Sequence, residues 1–257
     1  MERSRGRQLG AKAGVCALSA VLGSCAALGF VRRADAQAAT SEVPTLPTLT
    51  AIELSEAPDS PGVVIYPART PGAHPLTVLL HGMCGDAARA CSHFAEQVTQ
   101  SSTLICPRAS AKCTGGGASW PDKGVAEAVE AAVSRAKNML PAAAIDETRG
   151  RTLIGYSMGA FRAVGIAQGS AGKYPRVMLI GAKVSLDRAR LAENGVARLL
   201  LCAGSWDMMH DPMQRETERI QRTGFTARFM DLGPVGHAFT ASFANYLPEA
   251  LTWLSGA

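Results

Sequence analysis

Arg151-Thr152-Leu153-Ile154-Gly155-Tyr156-Ser157-Met158-Gly159 runs from an apolar strand-like segment into a glycine–x–serine–x–glycine turn. Residues 158–168 beyond it read as a helix. Such a pentapeptide is common enough by chance that its context decides its meaning. Here the context is a buried strand before the turn and a helix after it. The two glycines permit a tight strand-to-helix turn that lifts Ser157 above the sheet, and the helix N-terminus favours negative charge developing beside it. The competing reading is a glycine-lined turn with an idle serine. The residues elsewhere in the chain decide between the two.

Working outward, further short apolar runs read as strands at 63–66, 76–80, 102–106, 176–180, 197–202 and 227–230. Unbroken runs of this length suit strands covered on both faces. Helical stretches separate them. Residues 124–140 are alanine-rich, with Val125, Val129 and Val133 on one face and Pro141 as the stop. Residues 158–168, 212–222 and 241–254 are further candidates, and a helix near 87–99 is a weaker one. Alternating strands and helices predict an α/β fold, a mainly parallel sheet with helices on both faces. Ligands in such sheets bind beyond the C-terminal strand ends, so the chemistry is expected just after these runs.

A serine nucleophile needs a base. His237, in Gly233-Pro234-Val235-Gly236-His237, follows the last strand at the correct end of the sheet. His74 lies in a turn and reads as a surface residue, His93 as a surface or packing residue, and His210 as a candidate pocket wall. An acid must orient the base, and Asp207 leaves the strand 197–202 at the same edge. Asp211, just before Pro212, reads as a helix-start residue, and Asp187 and Asp231 as surface residues. The order Ser157, Asp207, His237 is that of a nucleophile-elbow hydrolase. His81-Gly82-Met83-Cys84-Gly85-Asp86 follows a core strand, and its glycines let the backbone present amides. The Met83 and Met158 N–H groups are the expected oxyanion donors, and His81 is expected to brace the loop.

These residues resemble the α/β-hydrolase superfamily, and within it the lidless carboxylesterases and acyl-thioesterases related to dienelactone hydrolases and polyester depolymerases. The resemblance covers residues 62–254. It rests on HGMCGD at 81–86, GASWPD at 117–122, GYSMG at 155–159, GSWD at 204–207 and GH at 236–237. It implies two-step acyl transfer from a small or polymeric ester, with no cofactor and no metal. The same triad serves acyltransferases and some peptidases, and the fold also carries inactive binding proteins. In that esterase group the segment like 119–122 reads Ser-Trp-Phe-Asp. Pro121 departs from it and leaves Trp120 and Asp122 between a pocket and a packing role. Residues 181–196, where many relatives carry a lid, are too few for one. Met83, Met158, Trp206, Met208, Met209 and Phe239 flank the catalytic positions, as an apolar acyl pocket or as core packing.

The 257 residues are 47% hydrophobic with a net charge of +5, so wholesale disorder is excluded. Residues 1–38 hold six basic and two acidic residues, and their +4 leaves +1 for the remainder. The uncharged run Ala13–Val31 lies between basic flanks and is followed by small-x-small sequences, the pattern of a secretory signal. An uncleaved anchor and lipidation at Cys25, in Leu22-Gly23-Ser24-Cys25, are the alternatives. Residues 39–48 read as a linker and 49–257 as one catalytic domain. Export implies disulfides. Cys84–Cys91 and Cys106–Cys113 are the simplest pairs, crossed pairs stay open, and Cys202 reads as a buried free thiol. A spacing of seven within each pair and the lack of ligand histidines argue against zinc. No P-loop, dinucleotide fingerprint, heptad or basic aromatic stripe occurs, so nucleic acid is not an expected partner. The oligomeric state is not set by the sequence.

Overall fold

The strand-like runs are β-branched or leucine-rich, and nearly every residue in them is buried. In chain order the elements are β1 (Ile52–Leu54), β2 (Val63–Tyr66), β3 (Leu76–Leu80), α1 (Ala87–Val98), β4 (Thr103–Pro107), β5 (Ala111–Lys112), β6 (Ala118–Ser119) and α2 (Val125–Met139). Then come β7 (Thr152–Tyr156), α3 (Met158–Ala167), β8 (Arg176–Ile180), α4 (Arg188–Glu193), β9 (Arg198–Ala203), α5 (His210–Gln221), β10 (Ala227–Asp231) and α6 (Leu247–Ser255). This computed structural model describes residues 48–57 and 61–256. The expected leader over 1–38, the alternative at Cys25 and nearly all of the 39–48 linker lie outside the described residues.

Eight strands form one sheet in the order β1-β2-β4-β3-β7-β8-β9-β10. β2 runs antiparallel to both β1 and β4, and all other neighbours are parallel. Side chains alternate between the faces as strand geometry requires. Leu76, Val78, Leu80, Leu153, Leu199 and Leu201 pack with α2, α3 and α5 on one face. Leu79, Ile154, Leu200 and Cys202 pack with Phe94 of α1 and Leu247 of α6 on the other. The fold class is therefore the one expected. Chain progress reverses between β3 and β7: β3 leads outward to β4, whereas β7 leads the opposite way through β8, β9 and β10. A crevice opens at such a reversal, at the C-terminal strand ends. Between β8 and β9 the chain forms only the short helix α4, so no lid domain stands there.

Two local expectations need correction. The helix expected over 241–254 is split into a 3-10 turn, Ala241–Asn245, and α6. Pro248 explains the break, because inside a continuous helix it would lack a donor and clash with the preceding turn. In the first turn of α6 it costs neither. Asp211 stands at the start of α5, as expected, in its first turn, with Met209 in the cap position. Asp187, read as an idle surface residue, caps α4 by accepting from the Ala189 and Arg190 amides.

The simplest cysteine pairing is also overturned. The bridges are Cys84–Cys113 and Cys91–Cys106. Cys91 lies on the buried face of α1, which packs across β4 and Cys106. It therefore points away from Cys84 in the loop before its own helix. Cys202 is fully buried and free, and burial pushes its thiol pKa up, which makes it inert. Among the described residues no helix is long and apolar enough to cross a membrane.

The Cys91–Cys106 bridge closes a 15-residue separation in the core. In the chain-entropy account such a loop is worth about 3 kcal/mol. The double variant Cys91→Ala/Cys106→Ala is expected to lose about that much unfolding free energy in a urea titration. A loss below about 1 kcal/mol would contradict a folding role for this bridge.

Candidate active site

Ser157 follows β7 directly and holds a left-handed backbone, φ 52° and ψ −118°. A non-glycine residue keeps such a conformation only when its surroundings fix it. Its N–H donates to the Ile180 carbonyl at 2.8 Å, which ties the turn to the end of β8. A Cβ at Gly159 would stand 2.2 Å from the Leu80 oxygen, and one at Gly155 2.6 Å from the Ala160 Cα. The flanking glycines are thus needed for close approach: α3 starts hard against the end of β3. The turn stands at the topological reversal between β3 and β7.

His237 lies beyond β10, and its Nε2 is 2.9 Å from the Ser157 Oγ. Its Nδ1 is 2.8 Å from Oδ2 of Asp207, which leaves β9. An ionised carboxylate only accepts, so Nδ1 carries the proton and Nε2 is left to accept from the serine hydroxyl. The Asp207 side chain is buried, and its Oδ1 accepts from the Met209 amide at 2.9 Å. Both carboxylate oxygens are therefore occupied and the acid is fixed. The three side chains named from sequence form one hydrogen-bonded chain.

Two supports of this chain were not read from the sequence. Gly181 directly follows β8 with φ 61°, and a Cβ there would stand 2.9 Å from the imidazole and 3.2 Å from the Asp207 carboxylate. A side chain at 181 would occupy the place of the His–Asp pair. The glycine immediately after the apolar run 176–180 was the available signal. Tyr156 is the second support. Its ring stacks on His237 at 5.2 Å between centroids, and its hydroxyl donates to the His237 carbonyl at 3.0 Å. Burial, helped by the Asp207 charge, pushes the phenol pKa up to about 12, so the donor persists at every working pH.

The loop after β3 faces Ser157. A Cβ on Gly82 would lie 3.3 Å from the Ser157 Cβ, so backbone reaches the nucleophile unobstructed. Among the described residues neither the Met83 nor the Met158 amide N–H has an acceptor. Both are free to serve an oxyanion. His81 is buried, and burial holds its pKa below the ordinary histidine value. The neutral ring donates from Nδ1 to the Gly82 carbonyl at 2.8 Å and accepts at Nε2 from the Ala109 amide at 3.3 Å. The indole N–H of Trp120 donates to the His81 carbonyl at 2.8 Å. His81 sits in the expected bracing position, and Trp120 is buried packing beneath the loop. Asp122 points away and pairs with Arg162 at 2.8 Å.

The remaining candidates fall outside the hydrogen-bonded chain. His74 contacts the Thr70 carbonyl, and His93 packs on Phe239. Phe239 itself joins an aromatic cluster with Phe94, Phe243 and Tyr156. His210 pairs with Asp211 and, together with Trp206, Asp207, Met208 and Arg215, lines an open groove of about 440 Å³. Met83, Trp206 and Met208 are 65%, 75% and 79% exposed, whereas Met158 and Met209 pack on the core. The first three are exposed apolar side chains on the loops that follow β3 and β9.

No protein-family profile and no curated protein matches the chain. Among solved structures it is similar to a fluorophosphonate-binding serine hydrolase of Staphylococcus aureus with substrate bound. That likeness has 14% identity, 81% of this chain and 98% of the other covered, and a TM-score of 0.61. It is also similar to a ferulic acid esterase at 13% identity, covering 81% and 99%, with a TM-score of 0.64. An S-formylglutathione hydrolase of S. aureus follows at 15% identity, covering 81% and 100%, with a TM-score of 0.56. At these identities the likeness is one of fold, and the chain has the α/β-hydrolase fold.

Tyr156→Phe keeps the stacked ring and removes the hydroxyl clamp on the histidine loop. The loss of one such bond, about 1 kcal/mol, is expected to lower kcat/KM about fivefold. Steady-state kinetics on p-nitrophenyl acetate, with circular dichroism as a fold control, measure this. An unchanged kcat/KM would mean that the clamp is idle.

Proposed function

We propose that this chain is an exported serine hydrolase that cleaves carboxylic esters through a covalent acyl-enzyme. The observation that carries the reading is the hydrogen-bonded chain Asp207–His237–Ser157 beside two unpaired amides. In the proposed reaction His237 takes the Ser157 proton as Oγ attacks the ester carbonyl. Asp207 stabilises the imidazolium. The Met83 and Met158 amides receive the oxyanion, and His237 then returns the proton to the departing alcohol. A water activated by the same histidine releases the acid.

The openness of the site favours water as the acyl acceptor over a second alcohol. The His237 side chain is 41% exposed, and no lid encloses the serine. The exposed side chains of Met83, Trp206 and Met208, on the loops after β3 and β9, suit the apolar part of a short ester, or one chain end of a polymer, without enclosing it. Export is supported by the leader-like residues 1–38 and by two disulfides, which belong to an oxidising compartment.

Two measurements test this reading. Ser157→Ala is expected to reduce kcat on p-nitrophenyl acetate by roughly 10⁶-fold and to abolish labelling by a fluorophosphonate probe. Near-wild-type turnover in that variant would refute the assignment. Across p-nitrophenyl esters from C2 to C12, kcat/KM is expected to be highest for short acyl groups. The rate is expected to show no jump when a substrate begins to form micelles. A sharp rise at that point would point instead to a site that opens at interfaces.

A further inference from the structure

The two disulfides stand in opposite environments. Cys91 and Cys106 are 0% and 1% exposed, inside the core between α1 and β4. Cys84 is exposed and Cys113 half-buried, and their bridge lies at the surface. Cys84 directly follows Met83, whose amide is one of the two unpaired donors beside Ser157.

What holds this loop is a small clip. The clip is the hairpin of β5 and β6, two strands of two residues each, joined by a turn through Cys113 and Gly117. A hairpin of that size has little stability of its own. It grips the loop through the Cys84 amide, which donates to the Ser119 Oγ at 3.1 Å, and the Ala118 amide, which donates to the Gly85 carbonyl at 3.0 Å. Gly117 lies so close that a Cβ there would stand 2.2 Å from the Cys84 carbonyl oxygen. The disulfide is the covalent part of the grip.

The loop needs that grip. Cys84 has φ 50°, and with Ser157 it makes up the non-glycine residues of positive φ among the described residues. Such a conformation relaxes when the constraint that fixes it is lifted. Relaxation at residue 84 turns the Met83–Cys84 peptide, and the Met83 N–H, one peptide further back, then loses the support that holds it toward Ser157.

We propose that Cys84–Cys113 is a reversible thiol–disulfide exchange site through which a small dithiol lowers esterase activity by releasing the oxyanion loop. In the exchange a dithiol thiolate attacks the exposed Cys84 Sγ and expels the Cys113 thiolate. The second thiol of the reagent then displaces Cys84 and leaves as a cyclic disulfide. Two electrons and two protons pass from the reagent to the protein, which ends with two thiols. The buried Cys91–Cys106 bridge stays closed and keeps the fold. The activity part of this proposal rests on the esterase reading above. The loop part does not.

The test is to incubate the native protein with graded dithiothreitol, alkylate, map the modified cysteines by mass spectrometry, and assay p-nitrophenyl acetate. Hydrogen exchange is followed on the same samples. Cys84 and Cys113 are expected to be alkylated before Cys91 and Cys106. In that state kcat is expected to fall at least tenfold, towards the 10²- to 10³-fold of a lost oxyanion donor, with little change in KM and recovery on reoxidation. Amides of 82–86 and 111–119 are expected to exchange faster while those of β7 and β9 do not. The double variant Cys84→Ser/Cys113→Ser is expected to show the low kcat from the start and no response to dithiothreitol. Full activity with Cys84 and Cys113 alkylated would overturn the proposal. Unchanged protection of 82–86, or opening of Cys91–Cys106 first, would overturn it too. An inactive oxidised protein would refute the esterase reading instead, and the exchange pattern would still decide the loop.

Discussion

The arrangement at the sheet edge depends on the contact between the start of α3 and the end of β3. Gly159 lies where any Cβ would meet the Leu80 and His81 carbonyl oxygens. That approach forces the turn between β7 and α3 to be as short as the backbone permits, and the left-handed φ of Ser157 is its consequence. The serine is displayed because there is no room to turn it inward. The helix N-terminus comes with it, so the unpaired Met158 amide and the Ser157 hydroxyl are placed by a single constraint.

Around this turn the loops that carry Asp207 and His237 are joined to each other by backbone bonds. The Ser205 and Trp206 amides donate to the Gly233 and Val235 carbonyls, and Gly204 abuts the Val235 oxygen. The loop after β9 and the loop after β10 thus form one unit, fixed by backbone bonds that do not depend on side-chain identity. Gly181 leaves the space into which this unit delivers the His–Asp pair, and Tyr156 anchors its His237 end. This explains why one short sequence, GYSMG, needs so few helpers. The parallel register of β7, β8 and β9 brings their ends side by side, and the remaining adjustment is made by backbone contacts.

Much of this was legible in the sequence because periodicity and turn chemistry report directly on local structure. The seven long strands and the helix at α2 show as unbroken or four-spaced apolar runs bounded by Pro and Gly. The three chain positions Ser157, Asp207 and His237 follow from requiring each to stand just after a strand. What escaped reading is non-local. β1, β5 and β6 are two or three residues long, and no period can be seen in so few. The role of Gly181 appears only when β8 is placed beside β9. The cysteine pairing depends on α1 lying across β4, a packing fact that spacing along the chain does not encode. Pro248 was visible in the helix expected at 241–254, and a helix-breaking rule applied there gives the observed split.

The two halves of the site differ in how they are fixed. The hydrogen-bonded chain Asp207–His237–Ser157 rests on buried backbone bonds, two close glycine contacts and a parallel register, all of which belong to the core and persist as long as the fold does. The loop after β3 has one core support of its own, the neutral His81 ring held between Gly82 and Ala109. Past Gly82 the chain leaves the core, and its path through Met83 and Cys84 is set by an exposed hairpin and an exposed bridge. Core packing therefore fixes the groups proposed to move the proton, whereas the Met83 amide, proposed to stabilise charge, is fixed by a peripheral clip. On the proposed reading, loosening that clip costs transition-state stabilisation without a loss of fold.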